Sequence, residues 1–207
     1  MTPFLIKMIL KLIGIAIGSY LIGSIPTGYW IVKALKKTDI TEVGSGSTGA
    51  TNVKRVLGTK WFFAVLLLDA IKGVIPVLIA YKYFNFLDYL GLAPVIAATC
   101  VIIGHCRSIF IKFKGGKSVA TGIGTLIALC WPVGLILAVV WVAVTYVSKY
   151  VSLGSVVAIC LAPILMAAFN GNYYYICFSA LCAIIVVLLH KENIKRLIAG
   201  TENKVRE

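Results

Sequence analysis

The chain has 207 residues, 60% of them hydrophobic, with a mean hydropathy of +0.99 and a formal charge of +13. Soluble domains are about 45–50% apolar, so the composition excludes an ordinary water-soluble globule and points to a membrane. In a soluble protein, 20 Lys and Arg against 7 Asp and Glu would suggest nucleic acid. Here the excess suits an anionic leaflet or an anionic substrate. The aromatic residues do not interleave with the basic ones as a base-stacking platform requires, so no nucleic-acid partner is expected.

A bilayer-crossing helix needs about 20 mostly apolar residues. Residues 5–32 supply the first. Lys7 and Lys11 precede its apolar run with no small-residue cleavage site behind it, so it reads as a retained span. Gly14 and Gly18 form a GxxxG pair suited to close helix packing, continued by Gly23, Ser24 and Gly28. Pro26 predicts a kink near the end. Further spans are expected at 61–81, 89–105, the apolar stretch ending near 131, 133–148, 151–169 and 173–190. Turns fall at Trp131-Pro132, at 148–150 and at Asn170-Gly171-Asn172. The sequence therefore predicts an all-α integral membrane protein, a bundle of seven transmembrane helices forming one domain over residues 1–207.

The basic residues orient it. Segment 33–60 carries Lys33, Lys36, Lys37, Lys54, Arg55 and Lys60. Segment 107–117 carries Arg107, Lys112, Lys114 and Lys117. Lys149 follows, and the tail adds Lys191, Lys195, Arg196, Lys204 and Arg206. All fall on one side of a seven-span topology. The positive-inside rule puts that side, with the C-terminus, in the cytoplasm and the N-terminus outside. Trp61, Trp131 and Tyr173-Tyr174-Tyr175 stand at span ends, as an aromatic belt would. No inverted repeat of the transporter kind is visible. The six cysteines form no CxxC pair or Cys/His cluster. They read as small hydrophobes, Cys106 alone lying beside a candidate site.

Three polar stretches gather on the cytoplasmic side. The first, residues 41–58, places Gly44, Gly46 and Gly49 among Ser45, Ser47, Thr48, Thr51 and Asn52, with Lys54 and Arg55 behind them. Glycine frees the backbone, successive amides can form an anion-binding nest, and Arg55 offers a planar fork matched to phosphate. The alternative is ordinary turn chemistry. The second runs Phe113-Lys114-Gly115-Gly116-Lys117-Ser118 into a helix start, a good anion cradle. It is not a nucleotide P-loop, because Ile111 stands where that motif needs its first glycine. The third is His190-Lys191-Glu192-Asn193, with His190 and Asn193 on one helical face and a histidine titratable near neutrality. His105, the only other histidine, precedes the second stretch and is expected to orient it. Asp69 and Lys72, three apart inside a span, are expected to brace neighbouring helices as a pair. Ser152 and Ser155 open the sixth span as helix caps or as donors to a bound anion.

Together, GSGxxGATNVxRxxG over residues 44–58, FKGGKSVAT over 113–121 and HxEN over 190–193 resemble the bacterial acyl-phosphate:glycerol-3-phosphate acyltransferases of the PlsY type. The likeness extends to Leu68-Asp69 with Lys72-Gly73, to residues 150–153 and to residues 199–202. Ser47, Thr48, Ser118 and Lys191 depart from the usual pattern, and Cys106-Arg107-Ser108 stands where an aromatic residue and proline usually follow the Gly-His pair. The resemblance implies transfer of a fatty acyl group from acyl phosphate to the 1-hydroxyl of glycerol 3-phosphate, at the cytoplasmic face of the bacterial inner membrane. The products are 1-acylglycerol 3-phosphate and phosphate.

The residues suit that chemistry. An acyl phosphate is already activated, so holding the hydroxyl and neutralising the leaving phosphate can supply most of the rate. Ser45, Arg55 and Lys117 are assigned to substrate phosphates, with Asn52, Gly115 and Gly116 shaping the cradles and Ser155 as a further donor. His190 and Asn193 are assigned to the glycerol end. No HxxxxD signature of acyl-CoA acyltransferases is present, since Phe110 and Lys195 occupy the fifth positions after the histidines. No metal site or cofactor is expected. The rival readings are an anion transporter, which would place its polar residues mid-span, and a structural protein with lipid-binding basic loops.

Overall fold

The computed structural model describes residues 3–84 and 91–205. Residues 89 and 90, expected to begin the third span, and Arg206 of the basic tail lie outside the described residues. The regular elements within them are all helical: α1 (Pro3–Ser24), α2 (Thr27–Lys36), α3 (Ala50–Leu57), α4 (Thr59–Phe84), α5 (Leu92–Cys106), α6 (Val119–Leu129), α7 (Trp131–Ser148), α8 (Val151–Phe169), α9 (Tyr173–Leu189) and α10 (Lys191–Ile198). Short 3-10 turns lie at Ile40–Glu42 and Ile109–Ile111. The chain divides into two compact units, Met1–Thr125 and Leu126–Glu207.

Five stretches among the described residues are long and apolar enough to cross a membrane: Leu5–Lys36, Thr59–Phe84, Leu92–Ile111, Trp131–Ser148 and Val151–Phe169. The pair α9 and α10, bent by 62°, makes a sixth when counted as one. The expected seventh is α6, which has only 11 residues. At 1.5 Å per residue it measures about 16 Å, against a hydrocarbon core of about 30 Å. Cys130 turns to extended backbone with φ of −154° before Trp131 starts α7, so the apolar run is divided between two helices. Large apolar side chains point outward along the spans, among them Leu10, Phe63, Val139, Ile164 and Ile184. In water such a surface would invite association, whereas in a bilayer it meets lipid.

In the first unit, the helix begun by α1 breaks at Ile25-Pro26 and resumes as α2. The carbonyls ending α1 lose their helical partners there. Lys72 Nζ donates to Ile25 O at 2.9 Å, and Ser108 Oγ donates to Ser24 O at 2.5 Å. Lys72 is also paired with Asp69 at 2.8 Å, and Thr27 Oγ1 donates to Asp69 Oδ1 at 2.6 Å. The ion pair thus ties α4 to the α1–α2 corner, as the sequence predicts, and neither buried charge stands alone.

Helix α1 crosses α5 so closely that a Cβ on Gly23 or on Gly104 would strike the other helix's backbone. Gly14 and Gly18, expected to serve close packing, do not: a Cβ on either would meet nothing within 4 Å. That face of α1 points outward with Leu10, Ile13 and Ile17. In the second unit, α8 packs on both α7 and α9, and Gly154 lets it approach Trp141 and Thr145 of α7.

Candidate functional site

Residues 38–49 lead from α2 into α3. Asp39 accepts from Thr41 N and Thr41 Oγ1 at 2.8 and 2.7 Å. These bonds start the turn and hold the Asp39 carboxyl below its usual value. Gly44 and Gly46 have φ of 62° and 68°, the left-handed region that other residues enter at a cost of about 1–2 kcal/mol. Asn52, 1% exposed, reaches from α3 into this loop. Its Oδ1 accepts from Ser45 N at 3.1 Å, and its Nδ2 donates to Val43 O and Ser47 O at 2.9 Å and to Ile40 O at 3.3 Å. One buried amide therefore satisfies main-chain groups that a tight loop leaves open. Ser45 and Arg55 lie on its exposed side. Neither the Ser45 hydroxyl nor the Arg55 guanidinium has a partner among the described residues.

The second loop is knotted around Ser108. Ser108 N donates to Lys114 O at 3.1 Å, Ser108 O accepts from Phe113 N at 2.8 Å, and Ser108 Oγ accepts from Phe110 N at 3.2 Å. Lys112 and Phe113 take φ of 54° and 57° to close it. Gly115 lies so near His105 O and the Cys106 backbone that a Cβ there would collide with both. Ser118 also has a left-handed φ, 57°, which explains why glycine suits this position in the resembled pattern. Its hydroxyl donates to Ile102 O at 3.3 Å, and Cys106 Sγ sits 3.0 Å from Ser118 Oγ. Thiol and hydroxyl can each donate in that second contact. Two departures from the family pattern, Cys106 and Ser118, thus partner each other.

The two loops touch within the first unit. Thr48 N donates to Gly115 O at 3.4 Å, and Lys114 Nζ donates to Thr41 Oγ1 at 3.3 Å. The loop carrying Ser45, with Asn52 and Arg55 behind it, is thus joined to the loop carrying Gly115, Gly116 and Lys117. Lys117, half-buried, immediately precedes the amide end of α6.

In the second unit, His190 stands at the bend between α9 and α10. Its Nδ1 lies 2.8 Å from Val186 O. A carbonyl oxygen can only accept, so Nδ1 carries the hydrogen and Nε2 is the acceptor nitrogen. Asn193 Nδ2 donates to Glu202 Oε1 at 2.6 Å. Ser152 Oγ donates to the same oxygen at 2.8 Å, and Arg196 Nε donates to Oε2 at 2.7 Å. Ser152 is thus no helix cap. Ser155 Oγ donates to Val151 O at 2.8 Å and accepts from Trp141 Nε1 at 3.1 Å.

Glu202 is the residue that sequence reasoning missed. The signal was the acid that closes the stretch 199–202, one of three in a basic tail with Glu192 and Glu207. Burial alone would raise its carboxyl, but hydrogen bonds from Asn193, Ser152 and Arg196, with the Arg196 charge, outweigh burial and hold it below the usual carboxylate value. The folded state therefore favours the anion. Its contribution to stability is complete above the unfolded glutamate value and is lost as pH falls through the lower, folded one. Thermal unfolding in detergent is expected to shift to lower temperature on acidification through that window. In Glu202→Gln the share due to this residue should vanish.

The fold and the loops define an all-helical integral membrane protein with two glycine loops joined to each other. The family model described as glycerol-3-phosphate acyltransferase matches residues 13–200. A glycerol-3-phosphate acyltransferase of Fusobacterium nucleatum is 44% identical over 191 residues, covering 91% of this chain and 95% of that protein. One of Desulforamulus reducens is 46% identical over 192 residues, covering 92% and 94%. The crystal structure of PlsY (YgiH), an integral membrane glycerol 3-phosphate acyltransferase, in its glycerol 3-phosphate form superposes with a TM-score of 0.88. It is 36% identical, over 95% of this chain and 96% of that one. Its lysophosphatidic acid form gives 0.85 at 34% identity over the same shares. The chain belongs to the glycerol-3-phosphate acyltransferase family, and within it to the membrane-embedded PlsY type.

Proposed function

We propose that the chain transfers a fatty acyl group from acyl phosphate to the 1-hydroxyl of glycerol 3-phosphate. The hydroxyl oxygen attacks the acyl carbonyl carbon, the bond from that carbon to the phosphate oxygen breaks, and inorganic phosphate leaves. The product is 1-acylglycerol 3-phosphate, the first acylated intermediate of phospholipid synthesis. The observation that carries this reading is the joined pair of glycine loops in the first unit. Two phosphate-bearing substrates call for two anion-receiving loops, and here two glycine loops are joined by the hydrogen bond from Thr48 N to Gly115 O.

Ser45, Arg55 and Lys117 bind substrate phosphates, with Asn52, Gly115 and Gly116 holding the loops in shape. Ser155, its hydroxyl turned from Val151 O toward substrate, is a further donor. His190 and Asn193 hold the glycerol end, Nε2 of His190 accepting from the attacking hydroxyl. Donors placed where the leaving phosphate gathers charge lower the barrier without a covalent intermediate. The site faces the cytoplasm at the inner membrane of a bacterium. The helices cross it seven times, α6 counting as a short crossing and the N-terminus lying outside. Clustering of the basic residues in the loops and tail supports that orientation.

The decisive assay supplies purified protein with glycerol 3-phosphate and either acyl phosphate or acyl-CoA. Equal amounts of 1-acylglycerol 3-phosphate and phosphate are expected from the first donor, and no product from the second. Turnover of acyl-CoA alone would overturn the donor assignment.

A further inference from the structure

Three buried titratable groups of the first unit, Asp69, Lys72 and His105, take no part in the chemistry above. His105 is 6% exposed at the end of α5, and its contacts lead to the second loop. Its carbonyl accepts from Gly116 N at 3.1 Å. Gly116 lies against the imidazole itself, where a Cβ would strike Nε2, Cε1 and Cδ2. At the ring's other side, Nδ1 is 3.2 Å from Thr121 Oγ1, in the first turn of α6, and 3.8 Å from Asp69 Oδ1. That carboxylate is in turn held by Lys72 and Thr27.

The two glycines are required for different reasons. Gly116 does not have a positive φ, so its backbone suits any L-residue, and the ring is what excludes a side chain. At Gly115 the obstacle is main chain, His105 O and Cys106, which no side-chain replacement removes.

We infer that His105 is a positioning residue for acyl transfer. Its ring is the template against which Gly116 is pressed, so that Lys117 and the amide end of α6 meet a substrate phosphate in one orientation. Asp69 and Thr121 set the tilt of the ring. His105 touches no reacting atom and acts on substrate binding through the loop. The inference rests on the acyl-transfer reading, and its test separates the two.

Purified full-length protein is assayed with acyl phosphate and glycerol 3-phosphate, and kcat and the apparent KM for each are measured. The variants are His105→Ala, Gly116→Ala and Gly115→Ala, with each glycine change also made in the His105→Ala background. A displacement of about 1 Å away from the chemistry can cost about 10²-fold. His105→Ala is expected to raise the KM for one phosphate substrate about tenfold or more, with kcat little changed. Gly116→Ala should lose activity, and adding His105→Ala should restore part of it, because the methyl group enters the space the ring leaves. Gly115→Ala should not be rescued.

A residue serving stability alone would lower the thermal midpoint without that selective rescue. Should His105→Ala not purify as a monodisperse protein, His105→Asn, smaller than imidazole, takes its place in the series. The inference is overturned if wild type is active while removal of the ring leaves Gly116→Ala unimproved, or if His105→Ala has wild-type KM values. If wild type makes no 1-acylglycerol 3-phosphate, the acyl-transfer reading is what fails, and the inference goes with it.

Discussion

Arg55→Ala is expected to lower kcat/KM by about 10²- to 10³-fold, the loss typical of removing one preorganised donor to developing charge. The guanidinium is exposed and has no partner among the described residues, so its removal breaks nothing that holds α3 in place. The thermal midpoint in detergent should therefore stay at the wild-type value, which separates lost function from lost fold. Arg55→Lys keeps the charge but not the planar fork, and should recover only a small part of the activity. Initial rates with each phosphate substrate varied in turn would show which of them the arginine meets. Wild-type kinetics in Arg55→Ala would refute its assignment.

His190→Ala is expected to lower kcat by about 10²-fold or more, within the range of general acid–base contributions. Because Nδ1 donates to Val186 O, protonation of the ring can only occur at Nε2, the atom assigned to the attacking hydroxyl. Acidification should therefore depress kcat/KM in the wild type, an acid limb that His190→Ala lacks. A profile without that limb would make the role of His190 purely positional, the proton then passing to a substrate phosphate oxygen. Replacement by asparagine tests the structural share separately, since an amide can keep a donor toward the helix end.

The helices were largely legible because lipid removes the usual ambiguity: a long apolar run has to be helical to satisfy its own backbone. The exception was α6. Hydropathy continues past Leu129, and only the extended backbone at Cys130 ends the helix, a local event that an apolar average cannot register. The two glycine loops were legible as glycine and hydroxyl clusters, but their connection was not. Thr48 and Gly115 meet through main-chain atoms, which leave no trace in residue type. Asn52 was expected to shape its loop, and the way it does so, a single amide bonded to four residues from inside, depends on a fold that spacing alone does not supply. Glu202 was hidden for a similar reason: two of its partners, Asn193 and Ser152, lie 9 and 50 residues away. Gly14 and Gly18 show the reverse error, a packing motif on a face that nothing among the described residues covers.

At the corner made by Pro26, the Lys72 ammonium is gripped by the Ile25 carbonyl and the Asp69 carboxylate together. Slippage of α4 past this corner by one residue, about 1.5 Å, would keep the pair together but part Lys72 from Ile25 O and Asp69 from Thr27 Oγ1, hydrogen bonds to charged groups worth about 1.5–3 kcal/mol each. The corner thereby resists a piston-like stroke of α4 along the first membrane-crossing stretch, so the second loop, which Ser108 ties to the same corner through Ser24 O, is anchored to a part of the bundle that opposes sliding.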